Sequence, residues 1–208
     1  MSVMRVVAVI PVGNLERAKS RLGGNLDAEE RRDLVIGMLE RTLAAVLATP
    51  SIAETLVVSP DEEVVEIAAA AGARGIRQES RGLNQGLDEA REVALNDGAG
   101  ALLVLPGDLP DVSSQAIDEV LAVLDTDTPP VVALVPDRHG RGTNALLLAP
   151  PNVIDFAFGG DSRAAHLHAA DAVCSRVVEL GGPLALDLDT PEDLLLVQSA
   201  AARVASGR

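Results

Sequence analysis

Two kinds of apolar stretch alternate along this chain. Short continuous runs of Val, Leu, Ile and Ala read as strands buried on both faces. Longer stretches with apolar residues every three or four positions read as helices laid over them. Arg5–Pro11 (RVVAVIP) is the first buried strand, and a polar loop leads from it to a helix from about Asp27 to Thr49. Asp27 can cap that helix while Glu30, at its third position, returns the bond. Thr55–Ser59 reads as a strand, Asp61–Ala71 as a helix halted by Gly72, Arg74–Arg77 as a short edge strand and Leu83–Asp97 as a helix. Ala101–Leu105 (ALLVL), the most apolar strand, is expected at the centre of the sheet and stops at Pro106-Gly107-Asp108-Leu109-Pro110. Ser113 or Ser114 opens a helix to Leu124, and Asp125–Pro130 is a turn. Val131–Val135 and Asn144–Ala149 are strands, Asp161–Ala170 is helical and Arg176–Leu180 extended. The last helix begins at Thr190-Pro191, a Thr cap followed by Pro at the first helical position. No repeat or linker divides the chain, so residues 1–208 are expected to form a single α/β domain. The expected architecture is a three-layer αβα sandwich on a mostly parallel sheet.

Composition narrows the partners. The core must be aliphatic, because the 208 residues include no Trp, no Tyr and only two Phe. A net charge of −14 excludes nucleic acid and anionic membrane as partners, both of which need basic surface. Without aromatic platforms, any base bound here must be read by hydrogen bonds and aliphatic contact. The lone Cys174 lies in an apolar stretch and is expected to be a small buried hydrophobe rather than a reactive thiol. The run Val6 to Ile10 is too short for a signal peptide, and no run reaches the roughly 18 apolar residues of a membrane helix. A soluble, cytoplasmic protein is therefore expected.

Ligands of open α/β sheets bind beyond the carboxyl ends of the strands, which directs attention to the loops after Pro11, Ser59, Leu105 and Val135. The first loop gathers Arg17, Lys19 and Arg21 in an otherwise acidic chain, an arrangement suited to a triphosphate. It lacks the spacing of a P-loop or of G-x-G-x-x-G, which weighs against ATPase and dehydrogenase readings. Asp108, placed directly after the most apolar strand, is a candidate ligand for a hard cation. Asp187 and Asp189, before the last helix, are candidate partners for it, and magnesium needs only one or two carboxylates. Asp108 also suits a plain turn, and the later pair also suits helix capping. Gly82-Leu83-Asn84-Gln85-Gly86 opens a helix and could read a purine edge through Asn84, although its spacing fits an ordinary helix entry as well. Thr143, with Gly159, Gly160, Ser162 and Arg163, forms a candidate small-anion site. His166 is read as facing a substrate and His168 as surface.

Taken in order, PVGNLERAKSRL, GLNQGLDEA, PGDLPDV, RHGRGTNALLL, FGGDSRAAHLHAA and DLDTPEDL resemble the 2-phospho-L-lactate or phosphoenolpyruvate guanylyltransferase family of coenzyme F420 biosynthesis. The likeness spans nearly the whole chain. It implies a GT-A-like nucleotidyltransferase fold and the reaction of GTP with a small phosphorylated carboxylic acid, releasing pyrophosphate. It further implies that Lys19 and Arg21 contact the GTP phosphates and that Asn84 and Gly86 lie near guanine. Asp108 and Asp189, with Asp187, would hold Mg2+, and Lys19 and Asp108 would be catalytic. Thr143, Gly159 and Ser162 would bind the acid's phosphate and carboxylate. The chain departs from the family pattern at Gly13, where a Lys is expected, and at Gly107, where another small residue is usual.

The chemistry this implies is in-line attack of the acid's phosphate oxygen on the α-phosphorus of GTP, which needs no general base because the attacking group is already anionic. A homodimer is compatible with this reading. Two alternatives remain open at this point. One is another nucleotidyltransferase of the same fold, serving a sugar phosphate or the molybdenum cofactor. The other is a non-catalytic nucleotide-binding module.

Overall fold

A computed structural model of the protein describes residues 4–124 and 130–197. They build one seven-stranded sheet in the order β3-β2-β1-β4-β6-β5-β7. The strands are β1 Val6–Pro11, β2 Ile52–Ser59, β3 Arg74–Arg77, β4 Ala101–Val104, β5 Val131–Pro136, β6 Thr143–Ala149 and β7 Arg176–Glu179. Five helices cover it: α1 Ala28–Leu47, α2 Glu62–Ala71, α3 Leu83–Asn96, α4 Ser114–Leu121 and α5 Ser162–Ala172. Residues 191–197 are helical too. The turn expected over Asp125–Pro130 falls almost wholly outside the described residues.

The period-two geometry of strands sorts the apolar residues into two cores. Val6, Ala8 and Ile10 of β1 face one way, toward Leu39 and Leu43 of α1 and Ile117 of α4. Val7 and Val9 face the other way, toward Leu87 and Ala90 of α3 and Ala170 of α5. Strand β4 divides likewise, and all four of its residues are fully buried, as expected of a central strand. The result is the three-layer αβα sandwich.

Local signals explain where the helices start and stop. Asp27 Oδ1 accepts from Glu30 N at 2.9 Å, and Glu30 Oε2 accepts from Asp27 N at 2.8 Å, the reciprocal cap at the head of α1. Gly72, with φ of 96°, takes the left-handed conformation that ends α2. Ser113, not Ser114, caps α4, accepting from Ala116 N at 3.2 Å. Strand β6 runs antiparallel to both its neighbours. That reversal brings the start of β6, Thr143 and Asn144, to the sheet edge where β1 and β4 finish.

Candidate active site

At this edge the first loop folds back over the sheet on two short 3-10 turns, Leu15–Arg17 and Ser20–Leu22, anchored by buried Leu15 and Leu22. Asp61, just past β2, fastens it by accepting from Leu15 N at 3.0 Å and Asn14 Nδ2 at 3.4 Å. Lys19 takes the left-handed backbone conformation, φ 50° and ψ 38°, which is uncommon for a residue with a side chain. Its side chain, 9% exposed, runs inward, and its ammonium hydrogen-bonds Asp108 and lies 2.6 Å from Asp189 Oδ1. Burial opposes the lysine's charge, but Asp108 and Asp189 together outweigh it and raise the pKa.

The carboxylates come from distant parts of the chain. Asp108 sits past β4 on a strand extension in which Leu105 N donates to Val9 O at 3.0 Å. Leu188 N donates to Asp108 O at 3.2 Å, so a main-chain bond lays the segment 187–189 beside it. Asp187 accepts from Asn144 Nδ2 at 3.4 Å. Its pKa is raised, first by burial and then by Asp108 and Asp189, so the three carboxylates share one neighbourhood. Arg21 stands at the rim, 3.9 Å from Asp189 and mostly exposed. Among the described residues no three carboxylate, imidazole or thiolate groups form a ready-made metal cage.

Asp193, which is not among the candidate residues of the sequence, completes the cluster. It is buried, and Oδ2 accepts from Asp189 N at 3.1 Å, Thr190 N at 2.7 Å and Thr190 Oγ1 at 2.8 Å, while Arg138 pairs with Oδ1 at 2.6 Å. Burial would raise its pKa, but these hydrogen bonds and Arg138 prevail and lower it. The signal was present in T-P-E-D, where an acidic residue three places after a Thr cap marks a reciprocal cap.

Lys19, Arg21, Pro106, Asp108, Phe158 and Asp189 line a cleft of about 410 Å³. A second hollow of about 560 Å³ adjoins it, lined by Asn14, Arg17, Gln78 and Ser80 among others. Pro11, Val12, Gly13 and Leu83 line both, so an elongated ligand can lie across the two. A Cβ on Gly13 would meet nothing within 4 Å, and one on Gly107 would make only ordinary contacts, the nearest at 3.5 Å. Both positions therefore have room for a Cβ.

Asn84 and Gly86, expected near guanine, also hold parts of the chain together. Asn84 Nδ2 donates to Phe158 O at 3.0 Å and Phe158 N donates to Asn84 Oδ1 at 2.8 Å, so its amide clasps the loop before α5. Gly86 is buried under the Gln78 amide, which a Cβ would approach to 2.6 Å. Gln78 Nε2 in turn donates to Ser80 O and Gly82 O, at 2.9 and 2.8 Å, shaping the second hollow.

Thr143 and Ser162 do come together, with Ser162 Oγ 3.3 Å from Thr143 Oγ1. Gly159 is exposed with φ of 139°, in the loop just before Ser162. His166, read as facing a substrate, is fully buried, its ring set between Thr143 Oγ1 and Ala157 N, each 3.1 Å away. His168 is exposed, as expected. Cys174 corrects the sequence reading: it is exposed, because the chain turns there with φ of 52° between α5 and β7 and directs the thiol outward. No helix among the described residues is long and apolar enough to cross a membrane.

Comparison with known proteins identifies the family and the fold. Residues 4–199 match the family model described as "Guanylyl transferase CofC like". A phosphoenolpyruvate guanylyltransferase of Rubrobacter xylanophilus is 45% identical, over 95% of each chain. A 3-phospho-D-glycerate guanylyltransferase of Colwellia psychrerythraea is 34% identical, over 93% of this chain and 91% of that one. A solved nucleotidyl transferase from Methanothermobacter thermautotrophicus superposes with a TM-score of 0.68 at 19% identity, over 96% and 99% of the two chains, which places the fold among GT-A-like nucleotidyltransferases.

Proposed function

Since this chain belongs to the CofC-like guanylyl transferase family and is a nucleotidyltransferase, we propose that it transfers GMP from GTP to phosphoenolpyruvate or 2-phospho-L-lactate, releasing pyrophosphate, in coenzyme F420 biosynthesis. The observation that carries the reading is the meeting of Asp108 and Asp189 on one cation, the ammonium of Lys19. Asp108 and Asp189, already arranged around one positive charge, and Asp187, whose ionisation is resisted first by burial and then by those two, are together short of cations. That shortage is the fit for a divalent ion. Asp108 and Asp189, with Asp187 alongside, would hold Mg2+, which takes one or two carboxylates and leaves its other positions to phosphate and water. Bound there, the metal would supply charge stabilisation at the reacting phosphates.

The chain's own residues account for the rest. Lys19 and Arg21 offset the charge of the triphosphate along the first cleft, and the second hollow receives the base. Lys19 gives up one carboxylate contact as the phosphates arrive and stabilises the charge that spreads over them in the transition state. Thr143, Gly159 and Ser162 hold the acid so that its phosphate oxygen faces the α-phosphorus. A phosphate monoester needs no base to attack, and among the described residues no imidazole lines the first cleft. The chain is read as one domain and a cytoplasmic enzyme.

Pyrophosphate release from GTP, measured in Mg2+ with phosphoenolpyruvate, 2-phospho-L-lactate, 3-phosphoglycerate and sugar phosphates in parallel, tests the reading. Turnover with either of the first two acids is expected. Turnover with sugar phosphates alone, or GTP binding without pyrophosphate from any acceptor, would refute it.

A further inference from the structure

His166 is a buried titratable side chain for which the reaction above has no use, and its surroundings define one polarity. Ala157 N is a fixed donor and lies 3.1 Å from Nε2, so that nitrogen must be the bare, accepting one. A neutral imidazole then carries its hydrogen on Nδ1, and Nδ1 donates to Thr143 Oγ1 at 3.1 Å. The ring is kept neutral by burial, which pushes its pKa down to about 4, and the edge contact with Phe158, centroids 4.9 Å apart, fixes its plane.

A count of protons follows. The group has four donors: Ala157 N–H, His166 Nδ1–H, and the hydroxyls of Thr143 and Ser162. Inside it are three acceptors: Nε2, Thr143 Oγ1 and Ser162 Oγ. Ala157 uses the first and His166 uses Thr143. The two hydroxyls, 3.3 Å apart, can satisfy only one proton between them. One O–H is left over, with no acceptor inside the group to take it.

We infer that His166 is a positioning residue of the acceptor subsite, fixing the Thr143–Ser162 hydroxyl pair as a net donor whose spare proton selects an oxyanion in preference to a hydroxyl ligand. The inference rests on the proposed acceptor role of Thr143 and Ser162. It deepens that role by naming the side chain that imposes the donor polarity met there by a phosphate or carboxylate oxygen. Reversing the imidazole would turn the spare proton inward and present lone pairs to an anion, which repels it.

The test has two arms. In the intact protein at neutral pH, 15N NMR of the His166 ring is expected to show the neutral Nδ1–H tautomer. An Nε2–H tautomer or an imidazolium would overturn the inference whether or not any acid is turned over. In the second arm, His166→Asn keeps a donor at the Nδ1 position, while His166→Gln keeps only an acceptor at the Nε2 position. With its carbonyl engaged by Ala157 N, the Gln amide leaves Thr143 without a donor, so His166→Gln should raise the KM for phosphoenolpyruvate by roughly tenfold or more, the effect of losing a hydrogen bond to a charged group, with kcat and the KM for GTP little changed. His166→Asn should recover most of that loss. Equal KM values in the two variants would overturn the inference. Thr143→Val separates the two ideas. If it leaves the KM for the acid untouched, the acceptor-subsite reading fails; if it raises KM while His166→Gln does not, only the role of His166 fails.

Discussion

Lys19 Nζ lies 2.6 Å from Asp189 Oδ1, joining a residue of the first loop to one placed 170 positions later. Because the same ammonium also bonds Asp108, it occupies the space between two carboxylates that a divalent ion would need. Removing it should therefore have opposite effects on metal binding and on turnover. Lys19→Met is expected to bind Mn2+ several-fold more tightly without nucleotide, because a competing charge is gone. It should lose roughly 10²–10³ in kcat, the usual cost of deleting one charge-stabilising donor. Weaker Mn2+ binding in a binding titration would contradict this arrangement.

Asp108→Ala should lose activity by at least about 10²–10³ while melting close to wild type. The bond that draws in the segment 187–189 uses the main-chain carbonyl of Asp108, which the substitution keeps. Full turnover by this variant in Mg2+ would remove Asp108 from the metal site.

Gly86→Ala is expected to cost about 1–3 kcal/mol and to raise the KM for GTP. The new methyl would meet the Gln78 amide at 2.6 Å, and moving that amide releases its bonds to Ser80 O and Gly82 O in the wall of the second hollow. Denaturant melts and GTP titration check both parts.

His166 gives stability a defined pH dependence. Its pKa is lowered by burial from 6.5 to about 4, so the unfolded chain takes a proton that the folded chain refuses. The contribution of the neutral ring is whole above about 6.5 and is lost as the pH falls from there through 4. At about 1.36 kcal/mol for each pH unit, the loss is on the order of 3 kcal/mol. His166→Asn has no such titration, so its stability deficit against wild type should shrink by that amount between pH 7 and pH 4 in urea melts. A deficit that stays constant would show that the ring titrates normally.

How much of this was legible in sequence depended on whether the cause was local. The Asp27 cap, the Gly72 stop and the buried run of β4 are set by neighbours in the chain, and each was read correctly within a residue or two. The gathering of Lys19, Asp108 and Asp189 was legible only as three isolated charges at loop positions. What unites them is the Leu188–Asp108 main-chain bond and the cap formed by Asp193, which link distant segments through the backbone. The exposure of Cys174 was missed because an apolar stretch reads as buried, whereas a left-handed turn decides which way the thiol points. The clasp between Asn84 and Phe158 depends on strand order, which no spacing within the helix entry reveals.

The central claim is tested most directly by Mn2+ bound with a non-hydrolysable GTP analogue, followed by electron paramagnetic resonance in wild type and in the Asp108→Ala and Asp189→Ala variants. One high-affinity ion per chain is expected in wild type, and each single substitution should weaken its binding severely. Binding left unchanged by both substitutions would mean that these carboxylates do not hold the metal.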